Sequence, residues 1–243
     1  MILKRIFDFI ISLFGLILLM PIMLPVIILV WLQDLKSPFY IADRVGKNRK
    51  IFKMVKLRSM VIGADKSGVD STGANDSRIT TIGKLIRKFK LDEISQLWNV
   101  LLGDMSLVGP RPNVKTETDM YTEEEGLLLS VKPGITDFSS IVFSDEGDIL
   151  ANKIDPDLSY NQLIRPWKSR LGIIYIKNQS LRLDIELIFC TVLAIVSKKD
   201  ALKSINKKLL RLNAEDNVTR VAKREDELTP FPPPGSNKVV EKR

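Results

Sequence analysis

Three kinds of hydrophobic pattern succeed one another along the chain. Residues 9–32, FIISLFGLILLMPIMLPVIILVWL, carry no charge, and a membrane helix needs about 20 apolar residues. Residues 37–60, SPFYIADRVGKNRKIFKMVKLRSM, read as two short strands around a turn at GKNRK. GADKSGVDSTGANDSR at 63–78, rich in Gly, Ser, Asp and Thr, is a loop. From Ile79 a helical period takes over. Ile82, Leu85, Ile86 and Phe89 form one stripe, and Ile94, Leu97, Trp98, Leu101 and Leu102 form another. GDMSLVGPRP (103–112) reads as a tight loop, TETDMYTEEEGLLLSV (116–131) as a helix with an acidic face, and KPGIT (132–136) as a turn before short extended pieces. Helical patterns return at 160–180 and 181–212. The fold expected is α/β, mainly helical with a small β-hairpin.

The apolar run is not a simple signal peptide, because no small-residue cleavage site follows it in VIILVWLQDLK. It resembles a straight membrane span except in two respects. Pro21 and Pro25 stand one turn apart at mid-run, where each removes a backbone donor and favours a bend. Both flanks are basic, with Lys4 and Arg5 before and Lys36, Arg44, Lys47, Arg49 and Lys50 after, so both ends prefer the same side. A re-entrant helix over residues 1–36, broken near Pro21, satisfies both; a straight span remains its rival.

The 243 residues hold one principal domain, expected at 37–197. A basic amphipathic helix follows at 198–224, where Lys198, Lys199, Lys203, Lys207, Lys208 and Arg211 interleave with Leu202, Ile205, Leu209 and Leu210. It suits either an anionic membrane surface or an ordinary solvated face. The Pro-rich, charged stretch 225–243 reads as a disordered tail. Lys and Arg number 37 against 29 acids, a charge of +8 that suits anionic partners. The basic face lacks the interleaved aromatics on which nucleic acids stack, so no nucleic-acid partner is expected. The chain has no histidine, which removes Ser-His and Cys-His catalysis and His-based zinc sites. The single cysteine, Cys190, sits in an apolar run and reads as a core residue. Any catalysis must therefore rest on carboxylates, hydroxyls, Lys and Arg, with or without a hard metal ion.

Asp92 and Glu93 stand side by side at the head of the second helical stripe. They have a plain reading as helix-capping residues that complement the dipole. They also have a chemical one. Aspartate is a competent nucleophile toward phosphorus, and a neighbouring carboxylate can hold Mg²⁺ together with substrate phosphates. Arg87 and Arg111 flank the pair in sequence, and guanidinium groups match phosphate oxygens in pairs.

Residues 76–112, DSRITTIGKLIRKFKLDEISQLWNVLLGDMSLVGPRP, resemble the signature of the bacterial sugar transferases, the monotopic polyprenyl-phosphate phosphoglycosyl transferases. The triplet Leu91-Asp92-Glu93 and the strings QLWNVL, GDMS and VGPRP carry the likeness. It extends back through RVGKNRKIFKMVKLRSM to KRIFDFIISLFGLILLMP, and forward through VKPGIT and YIKNQSLRLDIELI. The layout is that of the small members, with one N-terminal membrane segment and no multi-span domain before it.

The resemblance implies a re-entrant helix broken at Pro21 and a catalytic part at the cytoplasmic face of the bacterial inner membrane. It implies transfer of a phosphosugar from a UDP-sugar to a polyprenyl phosphate such as undecaprenyl phosphate, with release of UMP. Asp92 would be the nucleophile, and Asp92 and Glu93 the Mg²⁺ ligands. Arg111 and Arg87 would bind phosphate. Arg44, Lys56 and Arg58 match basic positions of the motif, where interface anchoring fits them equally. The chain departs from the family after PGIT, where members often continue GWAQVNGR. Here DFSSIVFSDEGDIL follows, with Asp137 in the glycine's place and no arginine nearby. The rivals are a glycosyltransferase that releases UDP and a membrane-anchored basic adaptor without chemistry, whose binding would be salt-sensitive.

Overall fold

The computed structural model describes residues 2–67, 71–73 and 75–241; parts of the expected loop at 63–78 (68–70 and 74) and the end of the tail (242–243) lie outside them. Helix α1 (Ile2–Leu32) leads into an antiparallel hairpin of β1 (Phe39–Val45) and β2 (Ile51–Leu57). Its register runs from Phe39 opposite Leu57 to Val45 opposite Ile51, with Asn48 and Arg49 at positive φ in the turn, as the GKNRK reading required. Three short helices follow: α2 (Thr81–Lys88), α3 (Leu91–Ile94) and α4 (Leu97–Leu102). Then come β3 (Ser106–Val108), α5 (Lys115–Asp119) and a 3-10 turn at Glu125–Ser130. Next are β4 (Gly134–Thr136), α6 (Phe138–Val142), α7 (Glu146–Leu150) and α8 (Pro156–Ser159). The chain closes with α9 (Arg165–Lys177), α10 (Leu181–Val196), α11 (Lys198–Arg211) and α12 (Asp216–Lys223).

Two segments differ from expectation because their strands or helices are too short to show a period. GDMSLVGPRP contains β3, which pairs in parallel with β4 inside the supposed KPGIT turn. The acidic stretch 116–131 divides into α5 and the 3-10 turn instead of forming one helix. Where β3 and β4 leave their pairing the backbones cross at Gly109 and Gly134. A Cβ on Gly134 would come 2.1 Å from the Gly109 nitrogen, so no side chain fits there. The helical run 181–212 also divides, at Ser197, whose side chain caps α11 by accepting from the Asp200 N–H.

The main core gathers Phe138, Leu171, Tyr175, Leu187, Ile205 and Leu209. In α11, Leu202, Ile205 and Leu209 pack into this core, while Leu210 is exposed. Three of its cations are also engaged: Lys208 and Arg211 hold Glu186 at 3.3 and 2.8 Å, and Lys198 holds Asp145 at 2.7 Å. The tail expected to be disordered is instead laid along α9. Phe231 stacks on Trp167 with ring centroids 4.4 Å apart, and the Arg170 guanidinium lies 4.9 Å from its ring. One aromatic anchor flanked by stiff prolines loses little chain entropy on docking, which composition does not reveal.

Helix α1 runs without interruption through Pro21 and Pro25, so no break is seen at Pro21. Each proline removes only one intrahelical donor, and contacts along the body hold the helix on both sides of them. Near its start, Lys4 pairs with Asp184 at 2.6 Å and donates to the Val108 carbonyl at 3.1 Å. Asp8, fully enclosed, accepts from Ser106 Oγ at 2.8 Å and the Leu107 N–H at 3.2 Å. Beyond the prolines, Met23 and Val30 pack with Leu57 and Ile86 in a second cluster, and Arg58 joins the Val30 carbonyl to Asp34. A helix about 46 Å long is therefore fastened to one body near both ends. Its other face exposes Phe14, Ile17, Leu18, Ile22 and Leu24. Leu85, Phe89, Trp98 and Leu102 of the two helical stripes are exposed as well.

Under the floor of this body Arg165 and Glu125 form a buried pair, with side chains 2% and 0% exposed. Ser169 Oγ (2.7 Å) also donates to Glu125, and Arg165 donates to Asn161 Oδ1 at 3.0 Å. Removing one partner of such a pair strands a charge. Arg165→Met is expected to cost ~3–5 kcal/mol, read as a lower unfolding midpoint in detergent. Pairing it with Glu125→Leu should recover most of the loss.

Candidate active site

The site grows from strand β2. Lys56 lies near the end of β2, and Ser59 just beyond accepts from Arg87 Nε in the last turn of α2 at 3.0 Å. Lys90 then takes a left-handed conformation (φ 54°), which turns the chain sharply between α2 and α3. The single turn of α3 presents Asp92 and Glu93. Ser95 Oγ locks that turn to β2 by donating to the carbonyls of Asp92 (2.9 Å) and Val55 (3.2 Å). Asn99 of α4 completes the attachment like an extra strand residue. It accepts from the Val55 N–H at 2.9 Å and donates to the Lys53 carbonyl at 2.7 Å. The Ser and Asn of the ISQLWN string thus fix the carboxylates against the hairpin.

The helix expected from Asp92 onward is interrupted at Ser95 and Gln96, and neither carboxylate caps it. Lys90 is the N-cap and makes no side-chain capping bond. Glu93 instead pairs with Arg111 at 2.9 Å, and Arg111 also donates to the Ile135 carbonyl at 3.3 Å. Among the described residues no hydrogen bond or ion pair engages the Asp92 carboxylate.

The electrostatics follow from burial among cations. Burial works to raise the Glu93 pKa, but Arg111, Lys90 and Lys56 overcome it and hold the carboxyl at about 2. Arg111 is pushed further above its ordinary value, with Glu93 the largest cause. Burial lowers the pKa of Lys56, and Arg111 adds to the effect while Asp92 and Glu93 oppose it. Burial lowers Arg87 too, against Asp92 and Asp76.

Asp92, Glu93, Arg87 and Arg111 all line one cleft of about 1100 Å³. Pro21 lies on α1, outside it. Of the three basic residues left between two roles, Lys56 and Arg44 also line the cleft, whereas Arg58 is tied to Asp34 at 2.7 Å and fastens α1. Sequence reasoning missed Glu146, Lys168 and Tyr160, which also line the cleft. Glu146 falls in the segment that departs from the family pattern, and Tyr160 and Lys168 lie between the quoted family strings, so no motif pointed to them. Asp137, in the glycine's place, is extended at φ −163°, where any residue fits. It caps α6 by accepting from the Ser140 N–H at 2.7 Å and from Ser139 Oγ at 2.8 Å. The string DFSS could have shown this cap.

The family profile described as bacterial sugar transferase matches residues 1–198. A UDP-N-acetylgalactosamine-undecaprenyl-phosphate N-acetylgalactosaminephosphotransferase of Aeromonas hydrophila is 33% identical over 199 residues, covering 80% of this chain and 44% of that protein. An undecaprenyl-phosphate galactose phosphotransferase of Salmonella typhimurium is 33% identical over 217 residues, covering 82% and 41%. A putative undecaprenyl-phosphate N-acetylgalactosaminyl 1-phosphate transferase of Bacillus subtilis is 43% identical over 121 residues, covering 50% and 68%. The chain spans less than half the length of the Aeromonas and Salmonella relatives.

Because the folded-state pKa of Glu93 is depressed, its pairing stabilises the protein above the ordinary value of 4.5 and is lost as pH falls toward 2. In Arg111→Met the largest opposing charge is gone and burial gains weight. The Glu93 carboxyl carbon, followed by NMR in carbon-13-labelled protein, should then titrate at a higher pH than in the wild type.

Proposed function

The chain belongs to the bacterial sugar transferase family, and we propose that it transfers a phosphosugar from a UDP-sugar to a polyprenyl phosphate, releasing UMP. The observation that carries this reading is the unengaged Asp92 carboxylate beside an arginine-held Glu93, in a cleft lined by Lys56, Arg87 and Arg111. In the first step an Asp92 oxygen attacks the phosphorus that bears the sugar. The bond from that phosphorus to the UMP oxygen breaks, and UMP leaves with the electron pair. In the second step an oxygen of the polyprenyl phosphate attacks the same phosphorus and displaces the Asp92 carboxylate. The lipid diphosphosugar departs, and the nucleophile is regenerated. Arg111 and Arg87 bind phosphate oxygens and offset the charge that gathers as two anions meet.

The donor set fits Mg²⁺. No cluster of three or more acidic, His or Cys side chains forms a closed metal cage among the described residues. Mg²⁺ commonly takes only one or two carboxylates and completes its shell with water and substrate phosphates. Asp92 and Glu93 would hold it, and it would neutralise diphosphate charge. Glu93, kept ionised by Arg111, is available for that role without a proton to lose.

Undecaprenyl phosphate is in the names of the Aeromonas and Salmonella relatives. A lipid acceptor requires a site at the membrane, and α1 supplies the means. With both ends fastened to one body, α1 lies in one leaflet, and the catalytic domain rests on the cytoplasmic face of the inner membrane. Single cysteines at Ile2 and Ser37, in a Cys190→Ser background, should both react with an impermeant maleimide in inverted vesicles and both be spared in spheroplasts. Reaction of one from each side would mean a straight span.

The defining assay measures the nucleotide released when nanodisc-held protein meets undecaprenyl phosphate, Mg²⁺ and UDP-sugars. UMP is expected, and Asp92→Asn should lower its release by roughly 10³-fold or more, as loss of a nucleophile does. Release of UDP would mean that the sugar moves without its phosphate. Salt-sensitive binding with no nucleotide release would indicate an adaptor.

A further inference from the structure

We infer that Glu146 and Lys168 are the pair that reads the hydroxyl groups of the transferred sugar. This rests on the phosphoglycosyl reading of the cleft and deepens it. The two residues come from different elements, α7 and α9, and meet as a direct ion pair on the wall of the cleft. Their side chains are 32% and 16% exposed, so the pair is partly open to whatever fills the space. The Lys168 ammonium also lies 5.3 Å from the centre of the Tyr160 ring.

The chemistry of this wall differs from that of the other. Around Asp92, cations outnumber carboxylates, which suits phosphates. At Glu146 and Lys168 the charges cancel, so the pair attracts no second phosphate. A sugar hydroxyl both donates and accepts. It needs an acceptor and a donor side by side, and a carboxylate–ammonium pair offers both. Burial works against ionisation of Glu146, but Lys168, with smaller help from Arg111 and Lys56, keeps it a carboxylate. Arg111, paired with Glu93, also feels the Glu146 charge.

The wall is also held still. Asp145, next to Glu146, is gripped by Lys198 at 2.7 Å and Arg224 at 3.3 Å, and Arg224 lies 5.4 Å from the Phe143 ring. Arg224 follows α12, past the end of the family match at residue 198. A segment outside the shared family region thus braces the segment that departs from the family pattern. Discrimination between epimers needs such a fixed donor–acceptor pair, because a hydroxyl in the wrong position leaves buried polar groups unpaired.

The test uses the full chain in nanodiscs with undecaprenyl phosphate and Mg²⁺, offered UDP-glucose, UDP-galactose, UDP-N-acetylglucosamine and UDP-N-acetylgalactosamine. Glu146→Gln should lower kcat/KM for the preferred donor by about 10–100-fold, mainly through KM, because one charged hydrogen-bond partner is lost. The preference over the C4 epimer should shrink to within about threefold, while inhibition by UMP should change less than about twofold. Lys168→Arg, which keeps the charge but not the geometry, should alter the preference without lowering the unfolding midpoint. The swap of Glu146→Lys with Lys168→Glu should restore stability but not the preference. An equal loss for all four donors, or recovery of the preference by the swap, would show a purely structural pair and overturn this inference alone. Wild-type protein that releases no UMP from any donor would overturn the parent reading, and this inference with it.

Discussion

The constraint on which the site depends is the crossing of two backbones at Gly109 and Gly134. The Gly134 N–H donates to the Pro110 carbonyl at 2.9 Å, and the Gly109 N–H donates to the Thr136 carbonyl at 3.0 Å. With no Cβ on either side, the strands β3 and β4 can pair until the moment they separate. Arg111 begins just past that crossing and is steadied by the Ile135 carbonyl, so its guanidinium reaches Glu93 from a fixed origin. Any side chain at Gly134 would push the crossing apart by more than the tolerance of a hydrogen bond. The VGPRP (108–112) and KPGIT (132–136) strings, read from the sequence as separate turns, are thus two halves of one joint.

Seating α1 is the second constraint, and it involves charge as much as apolar area. An apolar helix placed against a soluble domain could slide, since dispersion has little directional preference. Lys4, Asp8 and Arg58 remove that freedom because each would be an unpaired charge out of register. Asp184 shows the tension in this arrangement. Burial raises its pKa, while Lys4 and the Tyr175 hydroxyl pull the other way. The helix is therefore positioned by polar contacts on its inner face, and its outer face remains free for lipid.

What was legible in the sequence follows from how long each signal runs. The 9–32 run, the hairpin and the helices α9 to α11 extend over enough residues to show a period, and their types agree with the structure. Residue chemistry and the family motif singled out Asp92, Glu93, Arg87 and Arg111, but not how they come together, because the Lys90 turn and the glycine crossing have no period. The break expected at Pro21 is not seen in α1, and a bend preference in an isolated helix gives no weight to docking along its length. Glu146 and Lys168 were invisible for a different reason. An ion pair between α7 and α9 joins residues 22 apart across an intervening helix and turn, and a single sequence carries no trace of which acid meets which base.

The division of labour proposed for the adjacent acids has a physical basis in their different pairing. In a cleft this rich in cations, two carboxylates that both formed tight pairs would be neutralised, and neither would be a free nucleophile. The Lys90 turn and the Arg111 approach select Glu93 for pairing. The one-residue offset on a single helical turn rotates Asp92 by about 100° from it. The cations of Lys56, Arg87 and Arg111 still act on Asp92 through space, as their own ionisation reflects. Asp92 thus lies among the cations of the cleft without being bonded to any of them. Adjacency in sequence is what makes this work: one acid anchors the turn, and the anchored turn aims the other.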